Sequence, residues 1–148
     1  MNDFSFRMKL LGALVAAVLI IPVTYGHAES ISTQDQTAIA DVIGSQMDAF
    51  QRDDAEGAFT FAAPSIRSKF QSADIFMQMV AKAYAPVYRP NAVKFLDVVE
   101  HGGSIMQRVW IEGPDGKPVI AIYVMGQQPD GTWRIRGVRL VEPDGTSV

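Results

Sequence analysis

Asp97, Arg108 and Tyr123, all in the second half of the chain, are of types that could hold or turn over a ligand. An arginine binds an anion, a carboxylate orients it or takes a proton, and a phenol donates a hydrogen bond. Phe95 and Trp110 stand two residues from Asp97 and Arg108 and would supply the apolar walls that ligand pockets usually have. Asp97 is the one plausible general base of this set. Arg134 and Arg136 are a second candidate for an anion site. Asp53-Asp54-Ala55-Glu56 gathers carboxylates as a metal site would. The same run also makes a helix cap with acidic residues in the first turn, where the helix dipole favours them, and this is the reading adopted.

The remaining chemistry is narrow. The chain has 2 histidines and no cysteine. His27 falls in the leader described below, so a Ser-His-Asp triad would have to use His101, and Glu100-His101-Gly102-Gly103 reads as an exposed turn. Histidine-rich metal sites, thiol nucleophiles, thiolate metal sites and disulfides are excluded. No cofactor or metal signature occurs, and none is expected.

The elements that must position these residues begin after a targeting segment. Arg7 and Lys9 precede Leu10–Val23, an uncharged and mostly apolar run of fourteen residues. Gly26-His27-Ala28 then places small residues at the positions of an A-x-A-like cleavage site, so residues 1–28 read as a signal peptide cut after Ala28. A membrane span needs roughly 17–25 apolar residues. Cleavage would remove Arg7, Lys9 and Asp3, leaving 11 basic and 15 acidic residues of the 13 and 16. A net charge near −4 attracts neither nucleic acid nor an anionic membrane. The expected location is periplasmic or secreted. Residues 29–148 suffice for one packed domain without staples.

That domain divides into a helical first half and a strand-rich second half. Thr33-x-x-Gln36 reads as a capping box, followed by a helix near 33–52 with Ile39, Val42, Ile43, Met47 and Phe50 inward. A short helix carries Phe59 and Phe61 to a stop at Pro64. Ser65 would cap a turn through Phe70, and Ser72 a helix near 73–84 with Ile75, Met79 and Val80 inward. Pro86 and Pro90 separate helices from strands. Gly102-Gly103, Asp115-Gly116 and Pro129-Asp130-Gly131 then space four strands, near 92–100, 104–112, 119–127 and 132–141, into an antiparallel meander.

Taken literally, the first two turns are two-residue hairpins and the third a three-residue loop with a bulge. They set Asp97 opposite Arg108, Phe95 opposite Trp110, Arg108 opposite Tyr123 and Tyr123 opposite Gly137. The third register also aligns Ile120 and Ile122 with Leu140 and Val138. Asp97, Arg108 and Tyr123 would thus form one row across three strands. The row is either the floor of a pocket for a small anionic ligand or a cross-strand ion pair with a tyrosine packed over it. A buried structural network is expected, in which Arg108→Ala costs roughly 3–5 kcal/mol. Both faces of the sheet are largely apolar, so the helices should cover one and a second copy, or the chain's own segments, the other.

Several stretches resemble a domain-of-unknown-function family of small exported bacterial proteins. They are Phe61-Ala62-x-Pro64-x-Ile66, Arg89-Pro90-x-x-Val93-x-Phe95-Leu96-Asp97, Gln107-Arg108-Val109, Tyr123-x-Met125 and Asp130-Gly131-x-Trp133-Arg134-Ile135-x-Gly137-Val138. The order of elements is similar to the nuclear transport factor 2-like (cystatin-like) α+β fold: N-terminal helices packed on a curved four-stranded antiparallel meander, cone-like in shape. That resemblance implies lyases, isomerases, or binding and dimerisation modules, and does not choose among them. The leading expectation is an exported, non-catalytic binding or interaction domain that forms a homodimer. The alternatives are a small lyase or isomerase using Asp97, and a structural accessory subunit without a ligand.

Overall fold

A computed structural model describes residues 31–143. The leader expected over residues 1–28, with its cleavage site, lies outside them. Among the described residues five helices come first: α1 (Thr33–Gln51), α2 (Ala55–Thr60), α3 (Pro64–Phe70), α4 (Ala73–Ala83) and α5 (Ala85–Tyr88). Four strands follow: β1 (Ala92–His101), β2 (Ser104–Glu112), β3 (Pro118–Gln127) and β4 (Trp133–Val141), paired antiparallel in the order β1-β2-β3-β4. The α+β architecture is the one expected.

Local chemistry explains the helix starts. Ser32, not Thr33, caps α1: its Oγ accepts from the Asp35 backbone N–H at 3.1 Å and donates to the Asp35 carboxylate at 2.6 Å. The capping box therefore runs one residue earlier than Thr33-x-x-Gln36, and the Gln36 amide donates to Ile31 O. Asp54 caps α2 by accepting from Gly57 N at 2.9 Å, as the capping reading of the acidic run requires. α3 has no side-chain cap. Pro64 opens it, because proline needs no donor in the first turn, so Ser65 is not a cap. Ser72 caps α4 as expected. Its inward face is Ala73, Phe76, Met77 and Val80, whereas Ile75 is 55 % exposed. Val80 is inward as expected, while Phe76 and Met77 take the place expected of Ile75.

The sheet differs from the expected register in three places. Gly102 and Gly103, at φ 58° and 73°, make the two-residue turn that pairs His101 with Ser104. A bulge between Phe95 and Val98 then shifts the ladder, so Phe95 faces Val109, not Trp110. Asp115-Gly116 belongs to a longer loop closed by Gly113 N donating to Lys117 O, with Gly116 at φ 75°. Three residues intervene instead of two, and every β3 residue slips by one: Tyr123 faces Gln107, and Arg108 faces Ile122. The third turn forms the expected three-residue loop, closed by Gln128 N donating to Thr132 O. A bulge between Val124 and Met125 then sets Tyr123 opposite Val138 and Ile122 opposite Arg139.

All the sheet residues of the hydrophobic core now share one face, among them Val109, Ile111, Ala121, Tyr123, Met125 and Ile135. The helices cover that face, α1 and α3 over β4 and α5 over β2. Phe76 is the aromatic centre of the helical layer, with Phe59, Phe70 and Phe50 ring centroids at 5.3, 5.6 and 6.0 Å. Polar ties bind the layers, these among them. Asp35 accepts from Trp133 Nε1 at 3.0 Å. Ile135 donates to Phe61 O and accepts from Ala63 N, so residues 61–63 run as a short fifth ribbon beside β4.

Candidate functional site

The structure divides the five residues singled out from the sequence. Asp97 and Arg108 meet in an ion pair at 3.2 Å on the face away from the helices, with side chains 52 % and 38 % exposed. Trp110 lies two residues from Arg108 on that face. Tyr123 points the other way and is fully buried, so no three-residue row exists. The one-residue slip at the 113–117 loop is the reason. Phe95 also leaves the row: the β1 bulge pairs it with the core residue Val109, on the helix side, where it stands 36 % exposed. Arg108 has its charge matched by Asp97. Of the second pair, Arg134 donates to Trp133 O, and the exposed Arg136 lays its stem over Gly126, where a Cβ would sit 2.4 Å from Arg136 Cδ.

What fixes the Asp97–Arg108 pair is Gln107, which is buried on the opposite face. Its amide nitrogen donates to the carbonyls of Leu96, Asp97 and Arg108 at 3.0, 3.3 and 2.8 Å. The bulge interrupts the ladder between β1 and β2 here, and this amide joins the two strands across it. The buried Tyr123 hydroxyl has no partner among the described residues. Burial pushes its pKa far above the ordinary phenol value.

The densest polar cluster holds the fold rather than a ligand. Asp53, in a left-handed turn at φ 55° after α1, accepts from Tyr88 at 2.5 Å and from Arg89 at 2.7 Å. Arg89 also donates to Phe50 O in the last turn of α1 and stacks on Tyr88, 3.9 Å from the ring centroid. The Tyr88 hydrogen bond, then Arg89, hold the Asp53 carboxyl below the usual range, and the same bond raises Tyr88. The cluster clamps the end of α1 to the junction of α5 and β1. Asp53 and Asp54 thus have separate structural roles, and no group of ligating side chains that could hold a metal occurs among the described residues.

The candidate site is a cavity of about 620 Å³ between the helices and β4. Phe50, Phe70, Phe76, Val80 and Val87 form its apolar walls; Lys69 and Ala83 belong to its exposed rim. Its volume is that of a small-molecule pocket. Space is left where small residues, Ala62, Ala83 and Gly137, face large ones. Its lining contains no carboxylate and no imidazole among the described residues. The polar side chains in it are few: the Gln46 amide, the Tyr84 hydroxyl, which donates to Val138 O at 3.3 Å, Lys69, whose ammonium lies 5.7 Å from the Phe70 centroid, and the exposed Arg136. Sequence reasoning missed this site. Of its lining, Phe50, Met79 and Val80 are inward in the sequence reading and Arg136 is half of its second anion candidate, but nothing local marks a void between segments so distant in the chain.

A helical layer on a four-stranded antiparallel meander, with an apolar cavity between them, defines a small α+β domain. The chain belongs to the family described as a domain of unknown function (DUF4864), which matches residues 32–148. No curated protein matches it. It is similar to the crystal structure of an NTF-2-like protein of unknown function from Burkholderia xenovorans LB400, at 12 % identity and a TM-score of 0.44, over 76 % of this chain and 89 % of that one.

Proposed function

We propose that this is a non-catalytic binding domain that takes an apolar small molecule into the cavity between its helices and β4. The observation that carries the reading is the cavity itself: about 620 Å³, walled by aromatic and aliphatic side chains, with no group in its lining suited to general base work at neutral pH. Asp97, the carboxylate on which a lyase or isomerase reading would rest, stands on the other side of the sheet in a solvated ion pair. Ala83 is exposed at the rim, so bulk there obstructs the mouth without straining the core. The wild-type protein is expected to take up the neutral dye Nile red with a fluorescence gain that Ala83→Trp removes. Equal uptake by both proteins would sink the cavity reading.

A second feature supports self-association and export as the setting of that function. Met106, Trp110, Ile122 and Val124 lie on the sheet face that no helix covers, partly exposed and outside the core. Apolar surface of this kind marks an interface, and a second copy of the chain is the proposed occupant. The leader supports an exported protein, and no helix among the described residues is long and apolar enough to cross a membrane. Native mass spectrometry of protein recovered from the cell envelope should give twice the mass of a chain beginning at Glu29. A monomer mass would remove the pairing, and a chain retaining residues 1–28 would remove the cleavage.

A further inference from the structure

Two cations belong to the cavity lining, Lys69 and Arg136, and no carboxylate does among the described residues. Lys69 stands exposed in the last turn of α3, with its ammonium 5.7 Å from the centroid of Phe70, a wall of the cavity. That contact keeps the charge near the mouth. Arg136 is the extra residue of the β4 bulge, where the ladder passes from Ile135 to Gly137. Neither cation has an acid partner: the ion pairs among the described residues are Arg89 with Asp53 and Arg108 with Asp97. The positive charge beside the cavity is therefore uncompensated, and low-dielectric walls concentrate such a field at an opening. Deeper in, the polar groups are neutral. The Gln46 amide, 3 % exposed, spends one N–H on Ala58 O at 3.1 Å and keeps its second N–H and its oxygen. The Tyr84 hydroxyl donates to Val138 O. An anion carried down to these groups would leave water for aromatic and aliphatic walls and meet no opposite charge. An anion that stops at the mouth keeps its water and gains the cations.

We propose that the cavity takes an amphipathic acid: one apolar chain lies between the helices and β4, and its carboxylate stays at the mouth beside Lys69 and Arg136. The proposal rests on the cavity being a ligand site and adds the class of ligand and its direction of entry. The chain gains from burial against Phe50, Phe70 and Phe76, whatever head it carries. The head supplies the selection, because the lining attracts an anion, repels an ammonium and leaves an alcohol indifferent. A head that stays hydrated gains from each cation what an exposed ion pair gives, about threefold in affinity, and salt screens that gain.

The test titrates the full chain with decanoate, decanol and decylammonium, which share one chain and differ in the charge of the head. Calorimetry at low salt is expected to show decanoate binding about tenfold tighter than decylammonium, a gap that closes in about 1 M salt. Lys69→Gln and Arg136→Gln, both at exposed positions, should each cost decanoate about threefold and leave decanol unchanged. Decanoate labelled with carbon-13 at its carboxyl reports the direction of entry. Its pKa when bound should lie at or below that of the free acid, because cations at the mouth favour the charged form. A raised value would mean a head buried among the aromatic walls and would overturn the placement. Equal affinities for the three probes, a preference for decylammonium, or no binding of any of them would overturn the ligand class while Nile red uptake leaves the cavity reading standing. Failure of Nile red as well would overturn both. A decanoate preference untouched by one of the two substitutions would remove that residue from the site, and one that survives both together would overturn the assignment to these cations.

Discussion

At the scale of single residues, exposure decides what a polar pair contributes. Asp97 and Arg108 meet as the sequence suggested, but with side chains 52 % and 38 % open to water. An ion pair of that kind contributes about 0–1 kcal/mol, not the several of a buried one. In the single chain, at a dilution that separates the proposed pair, Arg108→Ala should therefore lower the unfolding free energy by less than about 1 kcal/mol with an unchanged denaturant slope. A loss of several kcal/mol would mean that something covers the outer sheet face. The costly residue in this region is its neighbour Gln107, whose amide serves three carbonyls from a buried position. Nothing in the sequence marks Gln107, because its importance comes from a bulge on the adjoining strand. Gln46 is similar: a glutamine in an apolar helix stripe acquires meaning only from the void beside it.

At the scale of elements, capping chemistry is local and testable in isolation. Ser32 carries the cap of α1, so Ser32→Ala should cost about 0.5–2 kcal/mol, while Thr33→Ala should cost little. The opposite ranking in denaturant melts would restore the capping box one residue later. The sequence was legible to about this depth. Helix and strand limits follow from caps, prolines and turn residues within reach of one another, and all four strands lie within one residue of their expected positions. Register was not legible, because it is cumulative. One extra residue in the 113–117 loop turned Tyr123 from the outer face into the core. Alignment of Ile120 and Ile122 with Leu140 and Val138 looked like support for the expected register, since apolar residues occupy both faces of β3. The bulge at Val124 and Met125 sets Arg139 beside Ile122 instead, at a surface that tolerates it. A sheet apolar on both faces cannot reveal its own slips.

At the scale of the whole molecule, three carboxylates make the fold sensitive to acid. Hydrogen bonds from Ser32 and then Trp133 hold Asp35 below the usual range, Tyr88 and then Arg89 hold Asp53 there, and Thr132 holds Asp130. Each ionises near 3.9 in the unfolded chain and lower in the native one. The stability they contribute is thus complete above about pH 4 and drains as pH falls through the native values. Denaturant midpoints should fall below about pH 4, and Asp35→Asn should flatten part of that fall. A midpoint independent of acid would show these bonds to be idle.

The bond from Trp133 to Asp35 has a consequence for time as well as for stability. It joins residues 98 positions apart, and β4, which carries Trp133, also supplies Ile135 to the 61–63 ribbon and part of the surface under α1. α1, the first of the described elements, packs on α2 and α5 early but meets the sheet last. Until the ribosome has released the final strand, the apolar stripe of Ile39, Ile43, Met47 and Phe50 has no sheet to lie on. Closure of such a chain waits on its longest loops. The sheet-facing side of the helical layer consequently stays uncovered through most of the synthesis, the condition in which a chain can still be threaded, chaperoned or lost to a protease.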